Sequence, residues 1–215
     1  MGIITNNQVV LYTVFRDNLF NPDFVLYPCC GIDSSPAAVF KNVTFVDIRN
    51  DCIEVLQRAG YNAIASDIRI YRSEVLHDLL ILLNPTISFE YASGHLRQGG
   101  FVIANDYSRT ATNMFGHPEQ FELIGKLDWT PEYEGVFSRD TSGLFVPVER
   151  LEELKEFRGS YFDFVKNSIP FLLKTEGIEP SKNLEEMYLQ YQDYMELPRV
   201  LPAKNIAERY IFVKK

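Results

Sequence analysis

Short apolar runs, each closed by polar or turn-forming residues, mark the first half of the chain. Phe24-Val25-Leu26-Tyr27 leads into the turn-like stretch Pro28-Cys29-Cys30-Gly31-Ile32-Asp33. Residues 43–47, 62–65, 78–83 and 101–104 have the same form and close at Asp47, Ser66-Asp67, Asn84-Pro85 and Asn105-Asp106. Runs without polar alternation predict strands covered on both faces, as in a parallel sheet between helix layers. Helix signals fall between them. Ser34-Ser35-Pro36 reads as an N-cap followed by a proline in the first turn, opening a short helix. Asn50 or Asp51 caps a second helix with Ile53, Val55, Leu56 and Ala59 on its apolar face, ended by Gly60. Weak helicity is predicted for residues 71–76, and a helix for 88–96, stopping before Gly99-Gly100. Right-handed crossovers between such strands give a doubly wound, mostly parallel α/β sheet.

The second half has a different pattern. Residues 118–127 predict a helix, and Val136-Phe137 with Leu144-Phe145-Val146 predict an antiparallel hairpin at the sheet edge. From Leu151 to Leu172 apolar residues recur at steps of three and four, an amphipathic helix weakened at Gly159 and broken at Pro170. Residues 184–195 form a second amphipathic stretch, and Arg209-Tyr210-Ile211-Phe212-Val213 a last strand. The expected organisation is one domain: an α/β core over 22–147, a helical insert or cap over 148–200, and a final strand within 201–215. Tyr161, Phe162, Phe164, Phe171, Tyr188, Tyr191 and Tyr194 on the C-terminal helices are expected to serve core packing, with a lid or a homodimer interface as the sharper alternative.

Composition narrows the function. The chain has 215 residues, 46% hydrophobic and 23% charged, an ordinary globular mix. Its net charge of −8 disfavours nucleic acid and anionic membrane as partners. No apolar run approaches the roughly 20 residues of a membrane span. The first residues lack the basic and apolar regions of a signal peptide. Cys29, Cys30 and Cys52 make a poor disulfide framework, so a cytoplasmic protein with reduced thiols is expected. His77, His95 and His117 lack metal-ligand spacing, and no hydrolase elbow or phosphate loop is present.

Ligands of open parallel sheets bind beyond the carboxyl ends of the strands. Here those ends carry Asp or Asn, which suit hydroxyls and amines rather than phosphates. Asp47 lies 18 residues after Cys29, close to the spacing at which a carboxylate accepts from both vicinal hydroxyls of a ribose. Capping of the next turn is the plainer role for the same residue.

Residues 24–106 resemble a class I S-adenosylmethionine-dependent methyltransferase domain. The first-strand loop, the acidic end of the second strand, Asp67 after the third and Gly99-Gly100 before the fifth carry the likeness. The resemblance implies a methyltransferase-like Rossmann fold. It also implies cofactor contacts from Pro28, Cys29, Cys30, Gly31 and Asp33 around the methionine part. Asp47 and Ile48 would lie at the ribose, and Asp67 and Ile68 at the adenine. Asn84-Pro85-Thr86-Ile87 would face the methyl group, and the catalytic candidates are Asn84 and Asp106, with Asn105 beside them. The implied cofactor is S-adenosylmethionine, and the implied partner a small-molecule or protein methyl acceptor. Tyr27 stands where the family has an acidic residue, and Cys29 and Asp33 where it has glycines. That altered loop keeps open a non-catalytic binding module that has lost the cofactor. A nicotinamide-binding protein is a further alternative, because its ribose carboxylate would look the same. Asn84-Pro85-Thr86-Ile87 shares only its first two residues with the Asn-Pro-Pro-aromatic motif of amino-group methyltransferases.

Overall fold

A computed structural model describes residues 2–85, 87–106, 108–130, 132–147, 169–175, 177–196, 200–202 and 208–215. Ten strands lie among them: β1 (Val25–Pro28), β2 (Val43–Asp47), β3 (Asn62–Ala65), β4 (His77–Leu82), β5 (Leu96–Ala104), β6 (Phe121–Trp129), β7 (Gly135–Ser138), β8 (Phe145–Pro147), β9 (Val200–Pro202) and β10 (Arg209–Lys214). The helices are α1 (Asn6–Asn18), α2 (Asn50–Arg58), α3 (Glu90–Ser93), α4 (Thr110–Phe115), α5 (Ile169–Thr175) and α6 (Leu184–Tyr194), with a 3-10 turn at Ser35–Ala38.

Eight strands form one sheet in the order β3-β2-β1-β4-β5-β10-β6-β7. The first five are parallel, and β10 runs antiparallel between β5 and β6. This is the doubly wound, mostly parallel α/β sheet that the apolar runs predict. Every residue of β1 and β4 is buried, as the middle of such a sheet requires. The pleat divides their side chains between two cores. Val25, Tyr27, Leu79, Ile81, Ile103 and Ile211 face one core, which includes Leu11, Tyr12 and Phe15 of α1 and Ile53 and Leu56 of α2. Leu26, Leu80, Leu82, Val102, Ala104, Tyr210 and Phe212 face the other, with Phe89, Ala111 and Met114.

Several expectations need correction. Residues 71–76 are not helical; Tyr71 is buried but Val75 and Leu76 are exposed, so no apolar stripe rewards a helix there. The helix expected over 88–96 shrinks to α3, because Leu96 already starts β5, which runs through Gly99-Gly100. Residues 118–127 contain most of β6 instead of a helix. Phe121, Ile124 and Leu127 fit a helical step, but pairing to β10 on one side and β7 on the other satisfies the backbone as a strand. Gly125 permits the β6–β7 approach: a Cβ there would lie 2.2 Å from the Ser138 carbonyl oxygen. The expected hairpin does not form. Val136 and Phe137 pair with Asp128 and Leu127 of β6, whereas β8 pairs with β9 in a separate two-stranded sheet. Pro170 lies in α5, and the residues before Ile169, where a break at Pro170 would show, lie outside the described residues. Of the amphipathic stretch expected from Leu151 to Leu172, residues 151–168, with Tyr161, Phe162 and Phe164, lie outside the described residues. The sequence pattern gave no reading of α1, although Leu11, Tyr12 and Phe15 are fully buried.

A pair of histidines ties β4 to β5. The His77 backbone N–H donates to the His95 carbonyl at 2.8 Å, and the His77 ring, 2% exposed, lies with Nδ1 3.3 Å from the same oxygen. Burial pushes the basicity of both rings below the ordinary histidine value. The unfolded chain therefore binds these protons more readily than the folded one. Their contribution to stability is present above the ordinary histidine value of about 6.5 and is lost as pH falls through it. The thermal midpoint is expected to fall between about pH 7.5 and about pH 5.5, and His77→Phe to flatten that fall. An identical pH slope in the variant would remove His77 as its source.

Candidate functional site

The strand order reverses between β1 and β4, since the chain first winds toward β3 and then crosses to β4 and β5. A crevice beyond the carboxyl ends at such a point is where this architecture holds ligands. A cavity of about 270 Å³ opens there. Cys29 and Gly31 line it from the loop after β1, Asp47, Ile48 and Arg49 from the end of β2, Asp67, Ile68 and Arg69 from beyond β3, and Asn84 from beyond β4.

The loop after β1 bends through two left-handed residues, Cys29 at φ 54° and Gly31 at φ 55°. The sequence places one glycine where the bend uses two, so Cys29 carries a strain of roughly 1–2 kcal/mol. Hydrogen bonds hold it there. The Cys29 N–H donates to the Val46 carbonyl at 2.8 Å, and the Gly31 N–H donates to Asp47 Oδ2 at 2.9 Å. A Cβ at Gly31 would meet nothing within 4 Å, so this backbone borders open space.

Asp47 is 8% exposed, yet it lines the cavity. Its Oδ1 accepts from the Arg49 N–H at 2.9 Å while Oδ2 accepts from Gly31. Each carboxylate oxygen offers about two lone-pair positions. One on each oxygen remains after the backbone bonds, the arrangement a vicinal diol needs. Capping and ligand binding are thus compatible at this residue. Asp67 accepts from the Arg69 N–H at 2.9 Å and forms an ion pair with the Arg69 guanidinium, which holds its carboxyl below the usual carboxylate range. Ile68 is buried and Ile48 is 69% exposed, so the rim offers both a packed and an open apolar side chain.

Asn84 is the third left-handed residue lining the cavity and, with Cys29, one of two that are not glycine, at φ 55°. Its N–H donates to Asn105 Oδ1 at 3.0 Å, and Asn105 Nδ2 donates back to Asn84 Oδ1 at 2.6 Å. This reciprocal amide pair fastens the ends of β4 and β5 and fixes which edge of Asn84 faces the crevice. Thr86 lies outside the described residues.

Four expected site residues stand elsewhere. Pro28 ends β1 in register with Val46 and does not line the cavity. Cys30 is buried under the loop, and burial pushes its thiol strongly up, leaving it protonated and unsuited to nucleophilic chemistry. Asp33 is turned into the loop. Its Oδ1 accepts from the Ser35 N–H at 2.9 Å and the Ser35 hydroxyl at 2.5 Å, and Oδ2 from the Tyr27 hydroxyl at 3.2 Å. It shapes the loop and does not border the cavity. Asp106, expected as catalytic, is completely buried. It accepts from the Thr112 N–H at 2.7 Å and the Thr112 hydroxyl at 2.9 Å and pairs with Arg109 at 2.9 Å. Burial pushes its carboxyl up, opposed by Arg109 and Thr112. Its role in this geometry is to anchor α4.

Sequence reasoning missed Val46, Arg49 and Arg69 as site residues and gave Ser66 only as the close of the third strand; all four line the cavity, as does Ile87, which was expected there with Asn84. Each of the four lies within two positions of Asp47 or Asp67, strand-end residues already singled out, and that offset is the signal available for them. Among the described residues no group of histidine, cysteine and carboxylate side chains could hold a metal. No helix among them is long and apolar enough to cross a membrane.

Neither a family profile nor a curated protein sequence matches the chain. Solved structures do. The N-methyltransferase NodS of Bradyrhizobium japonicum WM9, solved with S-adenosyl-L-homocysteine, is 17% identical with a TM-score of 0.44, over 58% of this chain and 78% of its own. CalS10 of Micromonospora echinaspora, an amino pentose methyltransferase solved with bound S-adenosylmethionine, is 17% identical with a TM-score of 0.41, over 46% of this chain and 49% of its own. An S-adenosylmethionine-dependent methyltransferase of Clostridium acetobutylicum is 20% identical with a TM-score of 0.37, over 50% of this chain and 53% of its own. The fold is Rossmann-like, on its own strand order. At such partial overlap, the chemistry of this chain rests on its own crevice.

Proposed function

We propose that the crevice binds S-adenosylmethionine and that the protein transfers its methyl group to a small-molecule or protein acceptor. The observation that carries this reading is Asp47. It is a buried carboxylate at the carboxyl end of β2, oriented by two backbone N–H donors, with acceptor capacity left toward a cavity at the topological switch point. The surroundings suit a nucleoside. Ile48, Ile68 and Ile87 offer apolar contact for a base, and Asp67 a polar edge. The open space beside the Gly31 backbone suits the close approach of the cofactor's amino-acid end. The cavity is near the lower end of the roughly 300–1,000 Å³ of small-ligand sites, in keeping with the nucleoside half of the cofactor.

When bound, the cofactor supplies an electrophilic methyl group on a sulfonium. The protein's task is then mainly alignment. In this reading Asp47 fixes the ribose and the loop after β1 fixes the amino-acid end. Asn84, held by Asn105, presents its left-handed backbone and amide toward the transfer point as a positioning group. Asp106 takes no part at the reacting atoms.

Isothermal titration with S-adenosylmethionine and S-adenosylhomocysteine tests the reading. Saturable binding to both is the expected result. Absence of heat and of any thermal shift at millimolar ligand would overturn the reading and favour the competing one, a binding module that kept the sheet and lost the cofactor. The Arg69–Asp67 ion pair across the adenine side is the feature that favours that alternative.

A further inference from the structure

The loop after β1 is poor in glycine, yet it holds a tight bend. Part of its support comes from outside the loop. Residues 2–5 run alongside it and form a parallel bridge between Ile3 and Asp33. The Ile3 N–H donates to the Ile32 carbonyl at 2.9 Å, and the Ile3 carbonyl accepts from the Ser34 N–H at 2.8 Å and the Ser34 hydroxyl at 3.2 Å. The Thr5 N–H donates to Ser35 Oγ at 2.9 Å. Ser34 and Ser35 are completely buried beneath this arm. The same Ser35 supplies two of the three donors on Asp33, so the arm and the bend share a residue.

Apolar burial contributes little to this attachment. Ile3 is 51% exposed and Ile4 is 48% exposed. Such a segment, held by backbone bonds and few buried contacts, opens at low free-energy cost. The fit is nevertheless close at one point: a Cβ at Gly2 would lie 2.6 Å from Ser34 Oγ and 3.2 Å from Leu56 Cδ2. Beyond Thr5 the chain enters α1, which is anchored in the core by Leu11, Tyr12 and Phe15.

We infer that the arm at residues 2–5 is a positioning element that holds the 29–35 loop in its ligand-binding shape, doing from outside what additional glycines would do from within. The inference rests on the cofactor reading above. Neither the arm nor its residues touch the cavity, so its effect is transmitted through Ser34, Ser35 and Asp33 to Gly31 and Cys29.

The test uses Ile3→Pro, which removes the N–H donor to Ile32, and Gly2→Leu, which forces the arm away from Ser34, singly and combined. Two measurements are made on the full chain: amide hydrogen exchange at Thr5 and Ser34, and affinity for S-adenosylhomocysteine. The combined variant is expected to exchange faster at both amides and to bind about tenfold or more weakly, with the thermal midpoint moved only a few degrees because neither substituted position belongs to a core. Faster exchange with affinity within about twofold of the unaltered protein would overturn the inference while leaving the cofactor reading intact. Unchanged exchange would also overturn it, since the arm would then not be held by these bonds. If the unaltered protein shows no binding, the cofactor reading itself fails and the inference goes with it.

Discussion

Asp106→Leu is expected to lower the stability of the folded chain by about 3–5 kcal/mol, a large share of the roughly 5–15 kcal/mol that holds a domain together. The Arg109 and Asp106 side chains are 2% and 0% exposed, so the substitution takes the Asp106 carboxylate away from a guanidinium held in the interior. The Thr112 N–H and hydroxyl lose their acceptor at the same time. Arg109 is also left-handed, at φ 59°, directly before α4, a conformation that persists only while its surroundings enforce it. Urea denaturation followed by circular dichroism should show the loss as a lower midpoint with little change in slope. Replacing both partners, Asp106→Leu with Arg109→Met, should recover much of it, because a well-packed apolar pair avoids the desolvation cost of two charges. A single variant as stable as the unaltered protein would show that the pair does not anchor α4.

Asp47→Ala is expected to weaken binding of S-adenosylhomocysteine by about 1–3 kcal/mol, roughly 5- to 150-fold, as measured by isothermal titration. Two effects add. The ribose hydroxyls lose a charged acceptor, and the Gly31 and Arg49 N–H groups lose the oxygens that orient the loop and the start of α2. Asp47→Asn separates them. It keeps one carbonyl oxygen for a backbone donor but opposes the other donor with an NH₂, so it should bind between the unaltered protein and the alanine variant. An affinity for Asp47→Ala equal to that of the unaltered protein would remove this residue from the site and, with it, the main support for the methyltransferase reading.

Much of the parallel half was legible in the sequence, and the reason is physical. A strand covered on both faces is apolar where it crosses the core, so β1 and the Leu79–Leu82 part of β4 appear as unbroken runs that no surface helix would tolerate. The polar residue that ends each run marks where the chain leaves the core. Asp47, Asp67 and Asn84 could therefore be found without knowing which strands are neighbours, and all three line one cavity. The antiparallel half was not legible in the same way. The apolar spacing of Phe121, Ile124 and Leu127 fits a helix as well as a strand, and only their placement between β10 and β7 decides the outcome. Likewise, the partner of β8 is β9, more than fifty residues away in the chain, and local pattern carries no information about so distant a pairing.

The candidate site divides along the same line. Residue type and position relative to a strand end belong to the sequence, and they determined which carboxylates and amides stand at the rim of the sheet. Which way each side chain turns was decided by the tertiary structure. Asp33 and Asp106 have the same chemistry as Asp47, yet hydrogen-bond donors on Ser35, Thr112 and Arg109 draw them inward. Asp47 is held by two backbone N–H groups, one on each oxygen, and it lines the crevice. A carboxylate goes where its donors are: those named for Asp33 and Asp106 come from two to six residues away, once the local backbone is fixed, whereas Asp47 also takes one from Gly31, sixteen residues back, which the pairing of β1 with β2 brings to it.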